Sequence, residues 1–281
     1  MRPELQKKVD FGIRLIQAGA QKAAEVGQPI EIAYSGGKDS DCILELAKMA
    51  GVNYRAIYKN TTIDPPGTIK HAKDNGVEIR HPKISFLNLV RQKGMPTRRA
   101  RFCCEALKEY KILDYVVIGV RRDESNARKE RYKEPELCRV FNAKEKVRQY
   151  LPLLEWTSKD VEEFIKERGI KCHPLYYDED GNFHVERRLG CIGCPLSGNA
   201  KKEYRQYPKL LKQIIRAVDD CIKEHPYRSI CAKFGGSAYN VIYQDLFCSS
   251  YEDYVAKMRP DLWGNSLDTK QAMEQYFGIE L

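Results

Sequence analysis

Short apolar runs alternate with longer amphipathic stretches along the first 120 residues of the chain. The apolar runs predict strands at 30–34, 54–58, 77–81 and 114–120. Apolar residues at helical spacing predict helices at 39–50, 66–75 and 103–113. Strands alternating with helices indicate an α/β fold with a mostly parallel, doubly wound sheet. Ligands of such sheets bind beyond the carboxyl ends of the strands.

Helical patterns flank this alternating region on both sides. Residues 1–29 have apolar positions at helical spacing and predict an N-terminal helix. Thr157 and Asp160 form a sequence pattern like a capping box, and Gly169 is placed to end the helix that follows. Beyond residue 198 the chain again shows helical periodicity. We therefore predict an N-terminal helix at 1–29, a nucleotide-binding domain with a metal site at 30–198, and a helical C-terminal appendage at 199–281.

Composition narrows the class of protein and the role of its cysteines. Among the 281 residues, 42% are hydrophobic, no apolar run is long enough to cross a bilayer, and the N-terminus has no hydrophobic signal region. We therefore expect a cytoplasmic protein without a membrane partner. In a reducing compartment the ten cysteines are metal ligands, catalytic thiols or buried side chains rather than disulfides. The net charge of +9 fits a nucleotide or another polyanion.

The turn after the first predicted strand carries candidate phosphate-binding chemistry. It reads Ser35-Gly36-Gly37-Lys38-Asp39-Ser40 and leads into a predicted helix. Two glycines allow a tight turn that brings backbone N–H groups toward a ligand, and a helix start attracts anions. The loop lacks the glycine spacing of a Walker motif. We predict that these six residues bind the phosphates of an adenine nucleotide, first of all ATP.

Four of the ten cysteines form two closely spaced pairs. Cys103 and Cys104 are adjacent, and Cys191 and Cys194 form a Cys-x-x-Cys motif. Four thiolates suit either a zinc ion or an iron–sulfur cube. On the residues alone zinc is the better interpretation, because adjacent cysteines bridge a cube awkwardly.

Several motifs together resemble one family. The 35–40 loop resembles that of the PP-loop ATP pyrophosphatases and adenine nucleotide α-hydrolases. Together with residues 119–128, 151–160 and 173–176 it resembles the phosphoadenylyl-sulfate (PAPS) reductase family over residues 28–198. The cysteine pattern is similar to the iron–sulfur branch, which includes assimilatory adenylyl-sulfate reductases and DNA phosphorothioation sulfur-transfer proteins. The resemblance implies an adenine nucleotide α-hydrolase-like fold and a [4Fe-4S] cluster at the four cysteines, with zinc as the alternative.

Residues after the fourth predicted strand complete the candidate site. Arg121 and Arg128 are expected to contact the ligand, because a guanidinium binds phosphate or sulfate through two hydrogen bonds. Glu124 and Ser125 either order this loop or help to hold Mg²⁺. Asp39 either caps the first helix of the sheet or assists Mg²⁺. The predicted catalytic residues are Lys38, Asp39 and Arg121.

Two departures from the family bear on the reaction. The sequence has no Glu-Cys-Gly-x-His motif, which carries the attacking cysteine of the reductases, and Cys221, Cys231 and Cys248 stand in unrelated contexts. The segment after the second strand reads Asn-Thr-Thr-Ile-Asp, at 60–64, where the reductases usually carry Asp-Thr-Gly. We therefore expect an ATP-dependent enzyme that adenylates an acceptor for sulfur transfer, with a protein sulfur donor or reductant as a further partner.

Two alternatives stay open. One is a sulfonucleotide reductase that uses a thiol from a partner or from another cysteine. The other is a non-catalytic component that binds nucleotide or nucleic acid. Lysines, arginines and eight tyrosines are interleaved between Tyr204 and Tyr276. Such a pattern is typical of single-stranded nucleic-acid contact as well as of ordinary packing.

Overall fold

A computed structural model describes residues 1–141, 145–226, 233–261 and 264–281 of the chain. Cys231 and Tyr227 lie outside the described residues. The strands are β1 Ile30–Tyr34, β2 Tyr54–Lys59, β3 Glu78–Arg80, β4 Tyr115–Val117, β5 Glu136–Phe141 and β6 Glu145–Tyr150. The helices are α1 Pro3–Glu25, α2 Lys38–Ala50, α3 Thr68–Asp74, α4 Phe86–Lys93, α5 Phe102–Leu107, α6 Asn126–Arg131, α7 Ser158–Arg168, α8 Ala200–Gln206, α9 Pro208–Glu224, α10 Ala238–Phe247, α11 Tyr251–Lys257 and α12 Thr269–Phe277. Short 3-10 helices cover Arg122–Glu124 and Pro174–Tyr176.

The strands form one six-stranded sheet in the order β3-β2-β1-β4-β6-β5. All neighbours are parallel except β5 and β6, which form an antiparallel pair at one edge. This confirms the predicted mostly parallel α/β sheet and its first four strands; β5 and β6 were not predicted. Strand order reverses on the two sides of β1, so the crevice between the carboxyl ends of β1 and β4 is the expected ligand position.

The chain divides into two compact units. Unit 1 consists of Met1–Pro82 and Ala106–Gly190, and it contains the whole sheet. Helix α1 belongs to it because Leu5, Val9 and Ile16 are fully buried in the core cluster that also contains the β1 residues Ile30 and Ile32. Amphipathic spacing on α1 therefore serves to cover the sheet.

Helix α7 begins with the predicted capping box. The Thr157 hydroxyl accepts a hydrogen bond from the Asp160 backbone N–H at 3.2 Å, and the Asp160 carboxylate accepts one from the Thr157 N–H at 2.9 Å. Gly169 ends the helix in the left-handed conformation, with φ +61°. Local sequence thus sets both ends of this helix.

Unit 2 consists of Lys83–Glu105 and Cys191–Leu281. Helix α4 packs against α9 in this unit, and Arg91 pairs with Asp220 at 2.9 Å. The structure therefore divides the chain differently from the predicted boundaries 1–29, 30–198 and 199–281, because the apolar face of α4 pairs with that of α9. Within the described ranges, no helix combines the length and the apolar character that a membrane span requires.

Candidate functional site

The glycine loop of unit 1 needs glycine for steric reasons. Gly36 has φ +79°, in the left-handed region that disfavours side chains. A Cβ at Gly36 would lie 2.7 Å from Thr68 Cγ2, well inside contact distance. The Ser35 hydroxyl donates to Ser40 Oγ at 3.3 Å, and the Ser40 hydroxyl donates to the Gly37 carbonyl at 2.6 Å. The loop is thus held in a tight turn by its own side chains.

Helix α2 starts directly from this turn without a side-chain cap. Gly37 is its N-cap residue, and no side chain accepts a hydrogen bond at that position. The Lys38 N–H donates to the Tyr176 hydroxyl at 3.3 Å. Asp39 does not cap the helix, which was one of its two predicted roles. The start of a helix is the positive end of its dipole, which favours an anion.

A cavity of about 200 Å³ lies at this helix start. It is lined by Ala33, Ser35, Gly37, Lys38, Asp39, Ser40, Gly119, Glu124, Arg128, Tyr176, Arg188 and Leu189. Ser35 follows β1 and Gly119 follows β4, so the cavity occupies the crevice where strand order reverses. A Cβ at Gly119 would lie 3.0 Å from the Asp39 carbonyl oxygen, so glycine allows the two segments to approach.

Three charged side chains form a connected group beside the cavity. Lys38, only 4% exposed, has its ammonium 3.4 Å from Asp39 Oδ2 and 5.2 Å from the ring centre of Tyr176. Asp39 Oδ1 accepts a 2.6 Å hydrogen bond from Arg121 Nε. Arg121 is 3% exposed and does not line the cavity. Its guanidinium therefore orients Asp39, whereas Lys38 and Asp39 face the cavity themselves.

A second group of charges stands at the mouth of the cavity. The Glu124 carboxylate pairs with Arg128 Nη1, and the Glu124 carbonyl accepts from Arg188 Nη2 at 3.1 Å. Ser125 does not line the cavity; its hydroxyl accepts the Arg128 N–H at 3.2 Å and caps α6. Of the two roles predicted for Glu124 and Ser125, the observed contacts are those of ordering the loop.

A buried polar network lies next to the loop. Asp41 Oδ1 accepts a 2.5 Å hydrogen bond from the Tyr34 hydroxyl and is 3.0 Å from His71 Nε2. Burial, with the charge of Asp41 second, raises the pKa values of Tyr34 and Cys172. Burial first, and the charge of His71 second, lower the pKa of His173. The His173 Nδ1 accepts the Leu175 N–H at 3.2 Å, so a neutral imidazole fits this position.

The four candidate metal ligands all belong to unit 2. Cys103 and Cys104 lie in the first turn of α5, and Cys191 and Cys194 flank a turn. A hydrogen bond with Cys104, then burial, then the charges of Cys104, Cys191 and Cys194 raise the pKa of Cys103. The four thiols therefore lie within electrostatic range of one another. Across the described parts of the chain, however, no three His, Cys, Asp or Glu side chains reach metal-holding geometry.

The Cys-x-x-Cys turn is supported by helix α8. The Gly193 N–H donates to the Glu203 carboxylate at 2.7 Å. Gly193 has φ +71°, and a Cβ there would lie 2.0 Å from the Tyr204 hydroxyl oxygen. The Arg98 guanidinium donates to the Pro195 carbonyl at 2.9 Å and so joins the two cysteine segments. The donor set has the chemistry of a thiolate-bound metal site, and the surrounding contacts hold the backbone of both segments.

Sequence reasoning did not identify every residue that lines the cavity at the start of α2. Tyr176 lies in the 173–176 motif, but its contact with the loop was not foreseen. Arg187 and Arg188 are adjacent in sequence and lie shortly before Cys191. The structure places Arg188 at the cavity, whereas Arg187 donates to the Tyr177 carbonyl at 2.7 Å. Their proximity to the cysteines in sequence gave no signal that separates these two arginines.

The sequence matches the model of one protein family. The family model described as the phosphoadenosine phosphosulfate reductase domain matches residues 29–197. The chain belongs to this family. The match includes the glycine loop, the segment after β4 and both cysteine pairs. It confirms the family predicted from the motifs, without testing the role of any single residue.

Several known proteins are similar to this chain. Two uncharacterised proteins of Methanocaldococcus jannaschii are 26% and 27% identical over 72% and 80% of this chain, which spans 44% and 54% of their lengths. The chain thus spans about half of these relatives. Sulfate adenylyltransferase subunit 2 of Psychromonas ingrahamii is 24% identical, over 71% of this chain and 85% of that protein. The phosphoadenylyl-sulfate reductase structure from Candida auris has a TM-score of 0.43 and 17% identity, covering 68% of this chain and 96% of that one.

Proposed function

We propose that this protein is a PP-loop ATP pyrophosphatase-type enzyme that adenylates an acceptor and thereby supports sulfur transfer. The observation that carries the proposal is the cavity at the uncapped start of α2, between the carboxyl ends of β1 and β4. Its helix dipole and buried lysine are suited to the phosphates of a nucleotide. Adenine nucleotide binding is also what membership of the family leads one to expect.

The charged residues have separate roles in this proposal. Lys38 neutralises phosphate charge beside the helix start, and Asp39 offers a hard carboxylate oxygen that would hold Mg²⁺. Arg121 acts through Asp39, because its Nε fixes the carboxylate at 2.6 Å. It is therefore a positioning residue in this scheme. Gly36, Gly37, Ser35 and Ser40 shape the turn that receives the phosphates.

Adenylation follows from binding the phosphates in this way. An acceptor oxygen attacks the α-phosphorus of ATP, the bond between that phosphorus and the bridging oxygen breaks, and pyrophosphate leaves with the electron pair. Lys38 and the dipole of α2 stabilise the charge that develops on pyrophosphate. Arg128 and Arg188 at the mouth suit an anionic acceptor. Relatives named sulfate adenylyltransferase subunit 2 support adenylyl transfer as the reaction class.

The four cysteines are proposed to hold a [4Fe-4S] cluster, with zinc as the alternative. When bound, such a cluster would supply an electron-rich metal site able to carry sulfur. The Gly193 N–H, held by Glu203, and the Arg98 guanidinium, held by Pro195, keep the two ligand segments in place. We further propose a cytoplasmic location and a protein sulfur donor or reductant.

The acceptor is proposed to be a nucleic acid, on the basis of cations and aromatic rings in unit 2. Arg205 lies 4.5 Å from the ring centre of Tyr276, and Lys201 lies 5.2 Å from that of Phe247. These rings are already covered by cations of the same unit. Contact with single-stranded nucleic acid would therefore depend more on phosphate binding by Lys201 and Arg205 than on the stacking of bases against these rings.

A binding measurement tests the nucleotide site. Gly37→Val places a side chain near the Tyr176 hydroxyl, which would be 3.3 Å from its Cβ, and Ser40→Ala removes the hydroxyl that holds the turn. Calorimetric titration with ATP should show at least about a tenfold loss of affinity for the double variant. Gly198→Val is the control, because no atom lies within 4 Å of its Cβ. Equal ATP affinity of wild type and double variant would exclude this site.

Product analysis separates adenylation from sulfonucleotide reduction, the alternative that the family name favours. Anaerobically purified protein is incubated separately with ATP, adenylyl sulfate and PAPS. Pyrophosphate release from ATP in the presence of an acceptor supports the proposal. Sulfite release from adenylyl sulfate or PAPS with thioredoxin identifies a reductase. Nucleotide binding without any product, together with salt-sensitive DNA or RNA binding, indicates a non-catalytic component.

A further inference from the structure

A second cavity in unit 1 shares no lining residue with the cavity at the start of α2. Its volume is about 340 Å³, within the range of pockets that bind small organic molecules. It is lined by Lys7, Lys8, Phe11, Lys133, Pro135, Pro152, Leu154, Glu155 and Trp156. Five of the nine lining residues are apolar, and three are lysines. None of them has a role in the reaction proposed above.

The walls of this cavity are fixed by polar contacts. Lys8 Nζ donates to the Glu155 carbonyl at 2.8 Å and so connects α1 to the wall that precedes α7. Arg122 donates to the Tyr132 carbonyl at 2.7 Å, to the Lys133 carbonyl, and pairs with the Glu155 carboxylate. The cavity is therefore pre-formed, so a ligand would not have to order its walls.

The charges around the cavity do not cancel. Lys8 is neutralised by Asp160 at 2.6 Å, and Glu155 by Arg122. Lys7 and Lys133 have no ion-pair partner within the parts of the chain that are described. Two cations thus remain beside an apolar surface that includes Phe11, which is 43% exposed.

Trp156 forms part of the apolar wall. It lines the cavity although the residue as a whole is only 1% exposed. The indole ring, the two lysines and the other apolar walls together define an apolar site with a few polar groups.

We propose that this cavity is a binding site for a small organic carboxylate with an apolar body. The apolar part packs against Phe11, Pro135 and Leu154. Lys7 and Lys133 attract the carboxylate, and the Trp156 ring contributes to the apolar wall. The chemistry distinguishes this ligand from the polyanionic nucleotide, which suits the other cavity.

Fluorescence of Trp156 tests the proposal. The chain has two tryptophans, and Trp263→Phe leaves Trp156 as the single emitter in the full-length protein. The probe is 4-phenylbutyrate, with neutral 4-phenylbutyramide as the matched ligand without charge. We expect a saturable change in Trp156 emission with the carboxylate, and about tenfold weaker binding of the amide.

Substitution of the two lysines tests whether the carboxylate binds in this cavity. The pair Lys7→Gln and Lys133→Gln should weaken carboxylate binding about tenfold and leave amide binding unchanged. Arg14→Gln, an exposed cation on α1 that does not line the cavity, is the control and should bind like the parent. Circular dichroism confirms that each variant is folded.

Three results would overturn the proposal. They are no saturable emission change with the carboxylate, equal affinity for carboxylate and amide, and unchanged affinity in the lysine pair variant. Sedimentation supplies a fourth test. A concentration-dependent dimer that Phe11→Glu dissociates would assign the cavity to a second copy of the chain instead.

Discussion

The glycine-loop cavity of unit 1 and the cysteine cluster of unit 2 are organised in opposite ways. In the cavity, polar groups already have partners: Arg121 fixes Asp39, and Glu124 fixes Arg128. In the cluster, a hydrogen bond with Cys104 raises the pKa of Cys103, and burial and the charges of the neighbouring thiols raise that pKa further. The protein therefore forms the first site before any ligand arrives, whereas thiols at the second site oppose one another's ionisation until a cation is bound.

The two sites are therefore stabilised in different ways. A pre-formed anion site draws on backbone geometry and buried ion pairs, which persist without the ligand. A thiolate site adds metal-binding free energy to the folding of the surrounding unit. Substitutions in the two regions should consequently differ in whether their effects depend on metal.

The largest expected effect is the loss of the metal in Cys104→Ser and Cys194→Ser. Anaerobic wild-type protein should be brown, with about four iron and four sulfide per chain. Each variant should be colourless and several kcal/mol less stable to urea, while the metal-free forms of wild type and variants should differ little. Iron, sulfide and zinc analysis with urea unfolding measures this. Colourless, folded wild-type protein with one zinc ion per chain would show that the four cysteines bind zinc instead of a cluster.

Gly193→Ala should cost about 2–5 kcal/mol, because it combines left-handed backbone strain with overpacking. Its Cβ would lie 2.0 Å from the Tyr204 hydroxyl oxygen and 2.1 Å from Tyr204 Cζ. Urea unfolding of metal-free protein gives the measurement. Tyr204→Phe should not rescue Gly193→Ala, because the ring carbon remains, whereas Tyr204→Ala should recover part of the loss. Equal behaviour of the two Tyr204 variants would show that the ring is not the obstacle.

In unit 1, protonation of His173 should reduce stability at low pH. Burial holds its folded pKa below the ordinary 6.5, so the unfolded chain binds more protons between the two values. The stabilising contribution is therefore present above about pH 6.5 and is lost as pH falls toward the folded pKa, with a slope of at most about 1.4 kcal/mol per pH unit. Urea unfolding between pH 5 and 8 measures this slope. His173→Gln should remove this part of the slope, and an identical slope in wild type and variant would contradict the assignment.

The smallest expected effect is at the loop after β2. Thr62 is exposed and has φ +66°, which is unfavourable for a β-branched residue. Thr62→Gly should raise the free energy of unfolding by up to about 1 kcal/mol, since relief of strain exceeds the entropy cost of glycine. Thermal unfolding tests this, with Thr97→Gly, in an exposed loop, as the comparison. Destabilisation by Thr62→Gly would mean that side-chain contacts of Thr62 outweigh its backbone strain.

Local patterns were enough to predict much of the sheet and the turn that leads into α2. The first four strands, the turn before α2 and the capping box of α7 all depend on residues close together in sequence. The antiparallel pair β5 and β6 was missed, because its alternation is weak and partly polar. The helix predicted at 103–113 is shorter in the structure, where α5 ends at Leu107.

The sequence by itself determined which chemical groups the protein has: a glycine turn at a helix start, arginines after β4, and four cysteines in two pairs. Only the tertiary structure decided their partners. It placed Arg121 behind Asp39, Tyr176 and Arg188 at the cavity, and residues 83–105 in one unit with the Cys-x-x-Cys turn. Short-range spacing fixes backbone conformation, whereas a guanidinium or hydroxyl finds its partner through packing between elements far apart in the chain.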